Sequence, residues 1–186
     1  TLTVNAPSSV AAATATAGGT IGDDGGAAVT ARGVCWGTSQ NPTTGSVGKT
    51  TDGSGTGSYS SSLTGLSPNT VYYVRAYATN AVTTSYSSNQ ESFRTKDGNA
   101  VLTTNLISGV MAATATSGGS ITDDGGSAVT ERGICWGTNT GPTTAGSHAA
   151  SGTGTGSFSA SLSALLPNTT YYVRAYAKNI DRKSVV

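Results

Sequence analysis

The stretch LSPNTVYYVRAY at Leu66–Tyr77 decides the fold, and it returns as LLPNTTYYVRAY at Leu165–Tyr176. A second stretch, GVCWGT at Gly33–Thr38, returns as GICWGT at Gly133–Thr138. The period of about 100 residues is too long for a solenoid unit, which needs its neighbours to fold, and it matches one small domain. The sequence therefore predicts two modules that fold independently.

Both modules are predicted to be all-β. Gly, Ser, Thr and β-branched residues dominate, no segment has sustained helical periodicity, and turn signals such as Asp23–Gly26 separate the strand-forming stretches. About seven short strands in roughly 100 residues is typical of a β-sandwich. We expect domain one at 1–96, a linker at 97–100 and domain two at 101–186. The strands are predicted at 2–5, 10–17, 28–38, 49–51, 57–63, 71–79 and 86–95, then at 101–107, 110–117, 128–138, 156–162 and 170–178.

Alternation along the strands assigns their faces. Successive residues point to opposite sides of a sheet, so Tyr72 and Tyr73 lie on different faces. Because Arg75 shares the face of Tyr73, that face is expected to be outward and the Tyr72 face to be the core. The same reasoning places Trp36 in the core and Cys35 outside it. The residues assigned a structural role are Trp36, Trp136, Tyr72 and Tyr171.

The outward face of this strand carries aromatic and arginine side chains in both modules. Such side chains could stack on sugars or anchor a partner. The alternative is packing against neighbouring strands, which is common for amphipathic side chains on a sheet. The candidate interaction surface consists of Tyr73, Arg75, Tyr77, Tyr172, Arg174 and Tyr176.

Charge and composition exclude several partners. Lys and Arg total 10, Asp and Glu total 9, and no basic cluster is present that would attract nucleic acid or anionic lipid. No apolar run approaches the roughly 20 residues of a membrane-spanning helix. The N-terminus has no signal-peptide pattern, so an export signal is expected to have been removed or to lie outside this sequence.

No set of reactive residues is repeated in the two modules. His148 is the only histidine, so domain one cannot hold a Ser–His–Asp or Cys–His arrangement. Gly45–Thr50 shares part of the phosphate-loop pattern, but Thr43 stands where its first glycine should be and no helix follows. The chain is therefore predicted not to be an enzyme and to need no cofactor.

Cysteine and aspartate are the remaining candidates for a bridge or a metal site. Cys35 and Cys135 lie in different domains, too far apart for a disulfide with each other. We expect each to be a small, semi-buried strand residue, and the alternative is a disulfide between two molecules. The acidic pairs before Gly-Gly could bind Ca²⁺ with nearby carbonyl groups, although aspartates that cap a glycine turn are favoured. The candidate calcium ligands are Asp23, Asp24, Asp123 and Asp124.

The pattern LxPxxxYxVxAxA from Leu66 to Ala78 resembles the E–F corner and F strand of fibronectin type III domains, and so does its copy from Leu165 to Ala177. In that family the corner tyrosine folds its hydroxyl back onto the backbone. Together with the Asp-Asp-Gly-Gly and Cys-Trp-Gly elements, the chain resembles fibronectin-type repeats in large surface and secreted proteins of Bacteroidetes-like bacteria. The resemblance implies an extracellular or cell-surface location, where such repeats serve as spacers, adhesin stalks and accessory modules of polysaccharide enzymes.

Domain two is predicted to lack its last strand. After Asn80 domain one continues through Tyr86–Thr95, whereas after Asn179 only Ile180–Val186 remain. A missing strand would leave the backbone of Thr170–Lys178 as a bare edge, which is a template for pairing. Three explanations are open: a continuation of the chain supplies the strand, a neighbouring molecule donates it, or the short tail forms a partial strand.

These features predict a non-catalytic extracellular structural module. It would be a repeat of a bacterial surface stalk or adhesin, or a subunit of a filament assembled head to tail. The expected partners are other copies of itself or neighbouring repeats. The alternative function is a carbohydrate- or host-binding adhesion module, such as an accessory domain of a secreted polysaccharide-degrading protein, with glycans as partners.

Overall fold

The computed structural model describes residues 1–180 and 183–185. Within them the chain forms strands and no helix, so no helix is long and apolar enough to cross a membrane. The chain divides into two compact units, one ending at Asp97 and the other beginning at Gly98. Each unit is a pair of antiparallel sheets, and the predicted fold class of two tandem β-sandwiches is confirmed.

Domain one contains a three-stranded sheet in the order β1-β2-β5 and a second sheet in the order β4-β3-β6. The outer edge of β6 is covered by two short strands, because β7 and β8 pair with different parts of it. The strands are β1 (Leu2–Ser8), β2 (Ala15–Ile21), β3 (Ala31–Gly37), β4 (Gly48–Lys49), β5 (Gly57–Leu63), β6 (Val71–Thr79), β7 (Thr84–Tyr86) and β8 (Glu91–Arg94).

Domain two repeats this arrangement with the sheets β13-β10-β9 and β12-β11-β14-β15. Its strands are β9 (Val101–Thr104), β10 (Ala115–Asp123), β11 (Val129–Gly137), β12 (Ser147–Ala150), β13 (Gly156–Leu162), β14 (Tyr172–Asn179) and β15 (Lys183–Val185). By order and pairing, β14 corresponds to β6 and β15 to β7.

Each domain has its own hydrophobic core between its sheets. In domain one Trp36 on β3 and Val74 on β6 pack with Ala17 on β2. Trp136 takes the equivalent place in domain two, and both tryptophans are 7% exposed. Among the described residues the two core clusters share no member, which is what two self-contained modules require.

The predicted linker is built into domain two. The amide of Gly98 donates a hydrogen bond to the carbonyl of Gly125, and the side chain of Asn179 donates one of 2.7 Å to the carbonyl of Gly98. Ala100 belongs to the core cluster of domain two. Residues 98–100 are therefore part of the second sandwich.

Strand β2 continues past its predicted end at residue 17, through two glycines. A Cβ atom on Gly18 would lie 2.2 Å from the carbonyl oxygen of Tyr59 on the neighbouring strand, so only glycine fits. The hydroxyl of Tyr59 reaches across the sandwich and donates a hydrogen bond of 2.7 Å to the carbonyl of Gly33. Gly118 has the same role in β10, where an added Cβ atom would lie 2.0 Å from the carbonyl oxygen of Phe158.

The prediction that domain two lacks its last strand needs correction in part. Residues Lys183–Val185 pair with Tyr176, Ala177 and Lys178 in β14, as β7 pairs with β6. The tail therefore forms a partial strand. The described ranges 1–180 and 183–185 contain no counterpart of β8, and residues 181, 182 and 186 of the predicted tail lie outside them.

Candidate functional site

The candidate interaction surface of domain one is bonded into the sheet. Tyr77 is only 3% exposed, and its hydroxyl donates a hydrogen bond of 2.6 Å to the carbonyl of Thr50. The guanidinium of Arg75 donates hydrogen bonds of 3.0 and 2.7 Å to the carbonyl of Ser87, and Tyr73 is half-buried. Tyr77 points away from the core as predicted, but it is not exposed, because the segment that follows β4 covers this part of the face.

The equivalent surface of domain two is also partly closed. Tyr176 is fully buried, and its hydroxyl donates a hydrogen bond of 2.7 Å to Oε1 of Glu131. The ammonium of Lys178 lies 2.9 Å from the same oxygen, and these two partners lower the pKa of Glu131. Arg174 is half-buried, whereas Tyr172 is 44% exposed at the start of β14. Tyr176 therefore has a structural contact, and Tyr172 is the aromatic residue of this surface that reaches solvent most.

The acidic pairs close tight turns. The carboxylate of Asp23 accepts a hydrogen bond of 2.6 Å from the amide of Gly25, and Asp24 accepts one of 2.9 Å from Gly26. Asp123 and Asp124 accept bonds of 2.7 and 2.8 Å from the same positions of domain two. Among the described residues, no group of three or more His, Cys, Asp or Glu side chains is placed to hold a metal ion.

Neither cysteine forms a disulfide within the described residues, and both are fully buried, although Cys35 was predicted to face outward. The Cys35 thiol does point away from the core, but the loop after β3 covers it, and its sulfur lies 3.3 Å from the carbonyl oxygen of Pro42. The sulfur of Cys135 lies at the same distance from the carbonyl oxygen of Pro142. Burial raises the pKa of the Cys35 thiol to about 11.

Both thiols are therefore expected to resist Ellman's reagent in the folded chain. At pH 7.5 the rise in the pKa of Cys35 from 9.0 to about 11 leaves about 100-fold less thiolate, and in both domains the loop over the thiol also blocks access. The rate of colour development should rise to that of a free thiol only in denaturant, where both cysteines of the chain react. Rapid labelling of the native chain, or a disulfide-linked dimer on a non-reducing gel, would contradict the prediction.

A tyrosine corner is present in each domain, as the resemblance implies. The hydroxyl of Tyr72 accepts a hydrogen bond of 3.0 Å from the amide of Ser67, and that of Tyr171 accepts one of 3.1 Å from the amide of Leu166. Their surroundings differ. Tyr72 is 4% exposed and its ring stacks on Phe93 of β8 at 5.9 Å, whereas Tyr171 is half-buried.

Replacing Tyr72 by phenylalanine is expected to lower the free energy of unfolding of domain one by about 1 kcal/mol, because the amide of Ser67 loses its partner under a covered corner. Tyr171→Phe should cost less, because water can reach the amide of Leu166 at the open corner. Urea unfolding of the two variants beside the unmodified chain measures both values. Equal losses in the two domains would show that β8 does not shield the corner.

Domain two has a cleft of about 480 Å³ at the position that β8 occupies in domain one. Among the described residues, none of those that line it is charged. Val110 and Met111 stand on its rim with 72% and 71% of their surfaces exposed. Sequence reasoning predicted the bare edge of β14 but missed the cleft beside it. The available signal was the apolar pair Val110 and Met111, which a missing last strand would leave uncovered.

No protein-family model matches the chain, and no curated protein matches it. Among solved structures, the chain is similar to a two-domain fibronectin type III segment from chicken tenascin, with 18% sequence identity and a TM-score of 0.37. The similarity covers 100% of this chain and 94% of that one. The strand order and the two corner tyrosines are those of tandem fibronectin type III-like β-sandwiches.

Proposed function

We propose that this chain is a non-catalytic structural module of an extracellular bacterial protein, serving as a repeat of a surface stalk or as a subunit of a filament. The main support is that polar side chains present in both domains are engaged in contacts within their own domain. The Asp–Gly turns, the covered thiols and the tyrosine corners make the same internal contacts in both domains. Duplication has kept groups that hold a sandwich together.

The chemistry of these groups also favours a structural role. A nucleophilic thiol needs a lowered pKa and access to solvent, whereas Cys35 is buried with a raised pKa. The carboxylates of Asp23 and Asp24 are occupied by backbone amides. A module whose duplicated polar groups stabilise its own fold is suited to a structural role, as a spacer in a stalk or as a subunit of a filament.

The location is tested in cells that carry the natural protein, with an antibody raised against this chain. We expect the antibody to label intact cells or extracellular fibres, and added protease to remove the signal without lysis. A signal that is protected until the cells are lysed would overturn the proposal. Negative-stain electron microscopy of the labelled material then distinguishes a stalk from a filament.

An adhesion module is the second candidate, and the exposure of Tyr172 favours it. This ring is 44% exposed next to an open strand edge, where it could stack on a sugar. A glycan array with the unmodified chain and a Tyr172→Ala variant tests the idea, with Tyr73→Ala as the matched variant in domain one. Binding that is absent, or unchanged by Tyr172→Ala, would remove this candidate.

A further inference from the structure

We infer that Asn89 is a mechanical tie in domain one, which holds the first strand to the last segment of the domain when the chain is pulled from its ends. The inference rests on the proposed structural role, since a repeat of a stalk or a filament transmits tension along the chain. It is carried by the hydrogen bonds that Asn89 makes between the two sheets and by the direction in which the joined segments run.

The side chain of Asn89 bonds both backbone groups of Val4. Its Oδ1 accepts a hydrogen bond of 3.1 Å from the amide of Val4, and its Nδ2 donates one of 2.9 Å to the carbonyl of Val4. Val4 lies on β1, the edge strand of its sheet, whereas Asn89 precedes β8 on the other sheet. Val4 is only 4% exposed and Asn89 is half-buried, so water competes little for these bonds. One amide side chain therefore joins the edges of the two sheets.

Asn89 can reach β1 because the pairing with β6 is interrupted at this point. In β7, Tyr86 lies opposite Tyr77, and a continuous strand in that register would place Asn89 opposite Val74. Glu91 lies there instead. Two extra residues between β7 and β8 therefore form a bulge, and a bulge turns a side chain away from its own ladder.

The bulge is anchored to β6 by Ser87, which is fully buried. The amide of Ser87 donates a hydrogen bond of 2.9 Å to the carbonyl of Ala76, and its hydroxyl oxygen accepts one of 3.2 Å from the amide of Ala76. The same hydroxyl donates a bond of 2.8 Å to the carbonyl of Asn89. A load on Val4 therefore passes through Asn89 and Ser87 to β6, which is paired on both sides.

The joined segments run parallel. A second bond links them farther along, where the amide of Lys96 donates a hydrogen bond of 3.1 Å to the carbonyl of Ala11. From Val4 to Ala11 and from Asn89 to Lys96 the chain advances seven residues in the same direction. Tension enters at the N-terminal end of the first segment and leaves at the C-terminal end of the second, so it pulls the two in opposite directions along their length. The bonds at both ends then resist sliding together.

The tie is tested by single-molecule force spectroscopy of the full chain, held by tags at its two ends. Each molecule should unfold in two steps, one for each domain, and Trp36→Ala identifies the step of domain one by lowering its force. Asn89→Ala should make domain one unfold about 10-fold faster at the same force, because the bonds to Val4 no longer resist the load. The step of domain two should stay where it is.

Ser61→Ala is the matched control in the same domain. The hydroxyl of Ser61 donates a hydrogen bond of 2.6 Å to the carboxylate of Asp52, and both residues lie outside the joined segments. Domain two has Ala160 at the equivalent position, so the fold accepts alanine there. Both variants should lower the urea midpoint of domain one. Under tension, Ser61→Ala should unfold at nearly the rate of the unmodified chain, because its bond is not between the segments that slide.

An unfolding rate of Asn89→Ala under tension equal to that of the unmodified chain would overturn the inference. A Ser61→Ala chain that unfolds under tension as fast as Asn89→Ala would also overturn it, because the loss of any buried hydrogen bond would then have the same effect. Neither result touches the cell-surface experiment, so the tie and the structural role can fail separately.

Discussion

Replacing Trp36 by alanine is expected to destabilise domain one strongly while the stability of domain two stays unchanged. Trp36 is 7% exposed and packs in the core between both sheets. Removing a buried aromatic side chain costs about 3–5 kcal/mol. A domain of this size is stable by about 5–15 kcal/mol, so the loss consumes a large part of its stability. Because the two cores are separate, the loss should stay within one domain.

The chain has two tryptophans, one in each core, and this makes the measurement direct. In Trp36→Ala the fluorescence of Trp136 reports domain two alone, and its urea midpoint should equal that of the unmodified chain. Circular dichroism should show the earlier loss of domain one. Trp136→Ala should give the reciprocal result, and Trp36→Phe should lose less. A shift of both domains in either alanine variant would contradict separate cores.

Replacing Gly18 by alanine is expected to destabilise domain one by about 3 kcal/mol. The new Cβ would lie 2.2 Å from the carbonyl oxygen of Tyr59, and the backbone of a paired strand cannot move aside without breaking its ladder. Gly118→Ala should have an effect at least as large in domain two, because the distance there is 2.0 Å. Thermal unfolding followed by circular dichroism measures both changes.

Gly37→Ala is the control for these glycine substitutions. Gly37 also lies in a strand of domain one, but a Cβ there would meet only the Cβ of Ser46 at 3.7 Å, an ordinary contact. We expect its midpoint to stay close to that of the unmodified chain. If Gly18→Ala and Gly37→Ala were equally mild, the close approach of β2 to β5 would not be what requires glycine.

The local sequence pattern predicted both ends of some strands correctly. The bounds of β5 and β6 are those expected from the sequence, because turn residues stand on both sides of each and the apolar residues alternate between. β2 was placed too early, because Gly18-Gly19 is typical of a turn when nothing shows that another backbone lies against it. The close approach of two strands is a tertiary fact that a single stretch of sequence does not carry.

The same limit explains the errors at the candidate site. Alternation assigned Cys35 and Tyr77 to the outer face, and they do point away from the core. It could not show that the loop at Pro42 and the segment at Thr50 fold back over that face. The cleft of domain two could not be predicted from residue type either. Val110 and its equivalent Val10 are both valines, and only the structure shows that Val110 is exposed whereas Val10 is partly covered.

The division of the last edge strand into β7 and β8 has a consequence for handling this protein. In domain one β7 and β8 together cover the outer edge of β6, whereas in the described part of domain two only β15 pairs with the outer edge of β14. An apolar opening beside an unpaired strand edge invites sticking between molecules in concentrated solution. Solubility during purification should therefore depend on the rim residues of domain two far more than on any exposed residue of domain one.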